Sequence, residues 1–318
     1  MRSAAGWAEA HQVPLYLVGL ILGAVLGLAV PTVAGPAEAV INPVLALLLY
    51  ATFLGIPFAR MGEALRDVRF LGTVLAVNFV AVPVVVFALS QIVAHDRVLL
   101  MGVLFVLLTP CVDYVIVFSG LAGGAADRLL AAVPLLMLLQ MVLLPLYLWL
   151  FVGGDVVRTI EYGPFAEALV WVIVLPLLLA GVTQWAAART RWGAALAAGM
   201  AGAMVPIMVL TLAVVAASQV AGVRDQLSSL LLTIPVYVLF AAVMTLVGAA
   251  AGRLAGLDVP SRRSVVFSGV TRNSLVILPL VLALPAAYAL APLVVVTQTL
   301  VELVVMVLFV RLIPRLIR

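Results

Sequence analysis

Apolar stretches long enough to cross a bilayer follow one another along nearly the whole chain, and the short loops between them hold most of its charge. A bilayer core of ~30 Å takes roughly 20 apolar residues of helix. Backbone N–H and C=O groups at that depth must find partners within the protein, which makes the helix the building unit here. Only 9% of the 318 residues are charged and 66% are hydrophobic, whereas a soluble domain carries about 25% charged residues. The chain therefore reads as an all-α integral membrane protein. One cysteine, Cys111, excludes an internal disulfide and a multi-thiolate zinc site. Residues 1–12 hold a single arginine, with no clear small-residue cleavage pattern after the first apolar stretch, so no cleaved signal is expected.

Turn residues and loop charges divide the chain into ten spans, at approximately 13–30, 42–58, 69–93, 98–122, 128–152, 163–187, 195–220, 227–252, 262–284 and 286–312. All 17 basic residues are arginine. On this count 13 fall on the side of the termini, three (Arg97, Arg158, Arg224) on the other, and Arg272 within a span. Such a bias predicts cytoplasmic termini in a multi-pass protein of the plasma (inner) membrane. Scattered loop arginines form no nucleic-acid patch.

Spans five and ten share a pattern. Pro134 and Gln140 in "AAVPLLMLLQMVLL" match Pro292 and Gln298 in "ALAPLVVVTQTLVE", and an offset near 160 sets Asp113 against Asn273. Five spans is an odd number, so a second copy enters the membrane from the opposite side. The expected organisation is two inverted five-helix repeats, 1–153 and 162–318, forming one membrane domain, which is a transporter architecture.

The fourth span contains "TPCVD" and the ninth "GVTRNS". Pro110 removes a backbone donor and clashes with the preceding turn. Asn and Ser compete for backbone groups. Both stretches predict broken, crossing helices whose half-helix ends face a substrate path, with Thr109, Cys111, Asp113, Arg272, Asn273 and Ser274 as candidate contacts. Asp113, Arg272 and Glu302 are the ionisable groups well inside spans, each costing ~2.5–3.5 kcal/mol at helix centre on insertion scales. Asp113 and Arg272 are placed to pair, and Arg272 is a fixed cation where a coupled transporter would bind sodium. Burial favours the neutral form of Glu302, which suits a proton carrier. Gln298 lies one turn before it on the same face. For Gln298, Gln140 and Asn78, interhelical bonding and ligand contact are equally open. Gly19, Gly23 and Gly27, and likewise Gly248, Gly252 and Gly256, predict close helix packing within the protomer; the oligomeric state stays open.

The stretches "TPCVDYVIVFSGLAGG", "TRNSLVILPLVLALP" and "TQTLVELVVMV" resemble the arsenical-resistance-3 type arsenite permeases of the bile acid/arsenite/riboflavin transporter superfamily. The resemblance covers the whole chain. It implies a core (spans three to five and eight to ten) moving against a panel (spans one, two, six and seven). It also implies arsenite or antimonite efflux driven by proton exchange, with Cys111 and Glu302 in the positions of functional residues. Two departures stand out: Pro110 replaces an arginine before the cysteine, and Arg272 enters a break that is richer in asparagine in those permeases. One thiol suits a weak, transient arsenic(III) site, because conduction requires a ligand that can leave. No cofactor, resident metal or catalytic residue is expected. The alternative reading is a sodium-coupled importer of an organic anion; a membrane sensor is more remote.

Overall fold

The computed structural model describes residues 7–8, 11–55, 66–112, 114–153, 167 and 170–318. Asp113, Arg2, Arg60, Arg158 and the edges of predicted spans two and six lie outside the described residues. Seven helices among those described are long and apolar enough to cross a membrane. The remaining predicted spans correspond to the 18-residue helix Gln12–Ala29 and to two interrupted helix pairs.

Two compact units divide the chain, and neither follows the sequence halves. The first joins Met1–Gly55 to Tyr162–Leu227. It holds α1 (Gln12–Ala29), α2 (Ala34–Gly55), α7 (Val170–Ala187) and α8 (Arg191–Asp225). Without a hydrophobic drive between helices in lipid, packing depends on how closely backbones approach. Gly19, Gly23 and Gly27 provide that approach: a Cβ on Gly23 would sit 2.1 Å from the Ala213 carbonyl oxygen, and one on Gly27 would sit 2.3 Å from that of Ala217. The glycine stripe of α1 is thus a packing face against α8 within one protomer. Gln184 of α7 donates to the Phe53 and Leu54 carbonyls at the end of α2, and Tyr50 and Thr183 share a 2.8 Å hydrogen bond.

The second unit takes Ile56–Glu161 and Ser228–Arg318. Its helices are α3 (Val68–Ser90), α4 (Arg97–Leu107), α5 (Tyr114–Leu121), α6 (Ala126–Val152), α9 (Thr233–Leu254), α10 (Val259–Val270), α11 (Ser274–Leu282) and α12 (Ala291–Leu316). Aspartates start three of them. Asp67, Asp96 and Asp258 accept backbone N–H groups in the first turns of α3, α4 and α10, as good N-caps do. Arg128 ties two of these caps together, at 3.4 Å from Asp67 and 3.6 Å from Asp258, and donates to the Ser261 hydroxyl. The Ser261 hydroxyl, then the Ser261 backbone N–H, and then the Arg128 charge hold the Asp258 carboxyl below the usual carboxylate range. Arg263 reaches from α10 to the Ala122 carbonyl after α5 and to Ile317 after α12. These contacts gather loops that the ten-span reading puts on one side.

The paired prolines do not occupy equivalent places. Pro134 is inside α6, whereas Pro292 lies in the first turn of α12, where a missing N–H has no helical partner to lose.

Candidate functional site

Both predicted breaks are present, and they pair with each other. After α4 the helix is interrupted over Leu108–Val112; after α10 it is interrupted over Thr271–Asn273, with Thr271 extended. Pro110 faces Arg272 in an antiparallel bridge. Cys111 N–H donates to the Thr271 carbonyl (3.2 Å) and Asn273 N–H to the Thr109 carbonyl (2.9 Å). Pro110 has no N–H to lose, so it costs the bridge nothing at its centre. Each break is thereby the other's hydrogen-bond partner, which meets the requirement that irregular backbone in a membrane be satisfied by protein.

The two breaks also match each other residue by residue at a different offset. Phe105, Thr109 and Pro110 correspond to Phe267, Thr271 and Arg272, an offset of 162. Thr109 and Thr271 both donate their hydroxyls to the carbonyl four residues back, Phe105 and Phe267. The capping aspartates Asp96 and Asp258 keep the same offset. At 162, Cys111 rather than Asp113 is set against Asn273. Spans five and ten match at 158, about one helical turn away from the 162 of the two breaks.

Glu302, one turn after Gln298 on α12, reaches the crossing. One carboxylate oxygen accepts the Arg272 backbone N–H (2.8 Å) and the Gln298 side-chain amide; the other accepts the Tyr114 hydroxyl (2.5 Å). The Tyr114 hydroxyl has a second acceptor, the Arg272 carbonyl, at 3.3 Å. Glu302 is 4% exposed and Arg272 is fully buried.

The Arg272 side chain turns the other way. Its guanidinium donates to the carbonyls of Leu107 (3.2 Å), Ser268 (2.7 Å) and Gly269 (2.9 Å), and to the Asn78 side-chain oxygen (2.9 Å). It also lies 5.4 Å from the Phe240 ring centroid, within cation–π range. Asn78 sits in a π-helical turn, Val77–Ala81, and its amide donates to the Ser268 hydroxyl and the Val74 carbonyl. Such turns recur at functional sites.

The structure therefore brings together Thr109, Pro110, Cys111, Arg272, Asn273, Gln298 and Glu302. Ser274, at the start of α11, accepts from the Thr299 hydroxyl of α12. Asn273 caps α11 through Val276 N–H. Gln140 is buried on α6, and no bond joins it to the crossing among the described residues. Asp113, expected to pair with Arg272, falls outside them. Six buried side-chain polar atoms lack a hydrogen-bond partner among the described residues, and four of them belong to candidate residues: the Asn273 amide nitrogen, the Gln298 and Gln140 amide oxygens and Arg272 Nε. Gln298 and Glu302 line a small cleft with Leu107, Tyr237, Phe240 and Val301. The sequence reading passed over Tyr114, because a tyrosine in an apolar helix looks like packing. Leu107, Ser268 and Gly269 meet the guanidinium only through backbone oxygens, so no side-chain pattern reveals that role.

The profile of the sodium bile acid symporter family matches residues 42–229. That is more than half of the chain, and it includes the first break. The chain belongs to this family. Sodium bile acid symporter family proteins are transporters, and this multi-pass membrane protein is a transporter rather than an enzyme. The family match stops short of Arg272 and Glu302. No curated protein matches the chain.

Proposed function

We propose that the protein is a secondary active transporter of the arsenical-resistance-3 type, exporting arsenite or antimonite in exchange for protons. In this reading ten spans form two inverted repeats, 1–153 and 162–318, in the plasma membrane with both termini cytoplasmic. The crossing alternates in access between the two sides.

The observation that carries the proposal is the setting of Glu302. Three donors from three separate elements converge on one buried carboxylate: the Arg272 N–H of the second break, the Tyr114 hydroxyl at the start of α5, and Gln298 of α12. Three donors suit the ionised form. A proton arriving on Oε1, the oxygen that accepts from Tyr114, turns that oxygen into a donor to the tyrosine oxygen, and the Tyr114 hydroxyl proton must then find another acceptor. The Arg272 carbonyl, 3.3 Å away, is its ready alternative. Proton binding is thus coupled to the backbone of the break itself, and a proton shifts the balance of two states only by such a difference in contacts.

The cargo half of the proposal rests on Cys111, Thr109, Asn273 and Ser274. Arsenite near neutral pH is a neutral trihydroxide. One As–S bond forms at the Cys111 thiol as one As–OH bond breaks, and the thiol proton leaves in the water released. Asn273 Nδ2 and Gln298 Oε1 offer the buried donor and acceptor that such a solute can use.

The second reading, sodium-coupled uptake of an organic anion, draws on the family's name. The tethered guanidinium in the crossing counts against it. The deciding measurement is arsenite uptake into everted membrane vesicles under an imposed proton gradient, with Cys111→Ala alongside. Gradient-driven uptake in the wild type and its loss in the variant are expected. Absent arsenite uptake, together with organic-anion uptake that requires sodium, would replace this reading by the second.

A further inference from the structure

The breaks leave specific carbonyls without helical partners. In an unbroken helix the N–H of Cys111 would bond to the Leu107 carbonyl, that of Arg272 to Ser268, and that of Asn273 to Gly269. Here these three N–H groups go instead to Thr271, to Glu302 and to Thr109. The three abandoned carbonyls are the very ones that the Arg272 guanidinium takes, at 3.2, 2.7 and 2.9 Å. Two half-helices thus point their negative ends at one place. Asn78 adds a fourth oxygen from α3, held in position by its own bonds to Ser268 and Val74. Phe240 presents a ring face to the same charge.

We infer that this four-oxygen cage is a monovalent-cation site occupied from within, with the Arg272 side chain as its resident cation. The cage has what a small cation requires: several neutral oxygens, helix-end partial charge and seclusion from solvent. Tethering fills it permanently, so a free alkali cation has no part in stabilising the crossing. Removal of the side chain leaves a cage that accepts a free cation of matching shape, guanidinium best and sodium less well, since guanidinium alone reproduces the planar donor set. This deepens the coupling half of the proposed function and does not depend on arsenite being the cargo.

The test is thermal melting of the purified full-length protein in detergent, without cargo or proton gradient. Sodium chloride, choline chloride and millimolar guanidinium chloride are compared at fixed ionic strength. Wild type should melt at the same temperature in all three. Arg272→Ala should melt lower in choline and regain about half of the loss or more with guanidinium, as a ligand that binds only the folded state must produce. Stabilisation of the wild type by sodium would overturn the inference and favour the sodium-coupled reading. An Arg272→Ala protein indifferent to guanidinium would overturn it as well. If that variant is recovered only as aggregate in choline, guanidinium supplied during extraction must restore folded protein, and failure to do so counts against the inference equally. Absent arsenite transport with the expected melting pattern would remove the cargo and keep the cage.

Discussion

Glu302 and Tyr114 form the pair on which coupling turns. Glu302→Gln keeps an acceptor for the Arg272 N–H but cannot exchange a proton. It should abolish pH-gradient-driven flux while arsenite binding, measured by equilibrium dialysis, stays close to wild type. Unchanged driven flux would remove Glu302 from the mechanism. Tyr114→Phe deletes the 2.5 Å donor and the alternative bond to the break together. A hydrogen bond to a charged group contributes about 1.5–3 kcal/mol, so driven flux should fall about ten- to a hundredfold with little change in the arsenite concentration for half-saturation. Much of this site was legible in the sequence. Ionisable and amide side chains are so costly at depth that Cys111, Arg272, Asn273, Gln298 and Glu302 stood out from their apolar surroundings. The cage was not legible, because three of its four oxygens belong to the backbone and the fourth, on Asn78, lies far away along the chain.

At the scale of elements, close approach and capping do most of the positioning. Gly23→Ala places a methyl 2.1 Å from the Ala213 carbonyl oxygen and 2.7 Å from its Cα. Neither is the flexible end of a side chain, so α1 and α8 must separate, at about 1–3 kcal/mol for an overpacked contact. Gly181→Ala on α7 meets nothing within 4 Å and should be neutral or stabilising by about 0.5–1 kcal/mol. Melting of the two variants side by side checks the contrast; equal effects would mean that the stripe does not set the spacing. The caps give an acid-sensitive term. Because the Asp258 carboxyl is lowered by the Ser261 hydroxyl, then by the Ser261 backbone N–H and then by Arg128, its charged form stabilises the folded state. That contribution is complete above the carboxyl's unfolded pKa and is lost as pH falls through the folded one. Asp258→Asn keeps a capping oxygen without the charge. The wild type's melting advantage over it should shrink as pH falls through the carboxylate range, and a constant advantage would refute the assignment. Both breaks were readable from residue types, whereas the aspartate caps and the offset between the breaks came only from the structure. Matching Pro134 to Pro292 gives an offset of 158, but proline is tolerated both inside α6 and at the start of α12 for different reasons, so it marks no fixed place. The phenylalanine and threonine at each break, whose hydrogen bonds do mark one, were not used.

For the whole molecule, length and hydropathy gave the class of protein, and the arginines gave an expectation of ten crossings. How the helices group could not come from periodicity, since lipid-facing and protein-facing surfaces are nearly equally apolar; it came from resemblance. The structure describes units assembled from interleaved segments, Met1–Gly55 with Tyr162–Leu227 and Ile56–Glu161 with Ser228–Arg318, and these hold the segments counted as spans one, two, six and seven and as spans three to five and eight to ten. One consequence follows from where the only sulfhydryl of the chain sits. Cys111 is 0% exposed at the bridge between the breaks, so the natural protein already carries a single, silent labelling site and needs no cysteine-free background. A membrane-permeant maleimide should modify it far more slowly than a small-molecule thiol. The rate, followed by mass shift, then becomes a clock for how often the crossing is uncovered. Modification as fast as that of a small-molecule thiol would show that the buried arrangement is not the resting one.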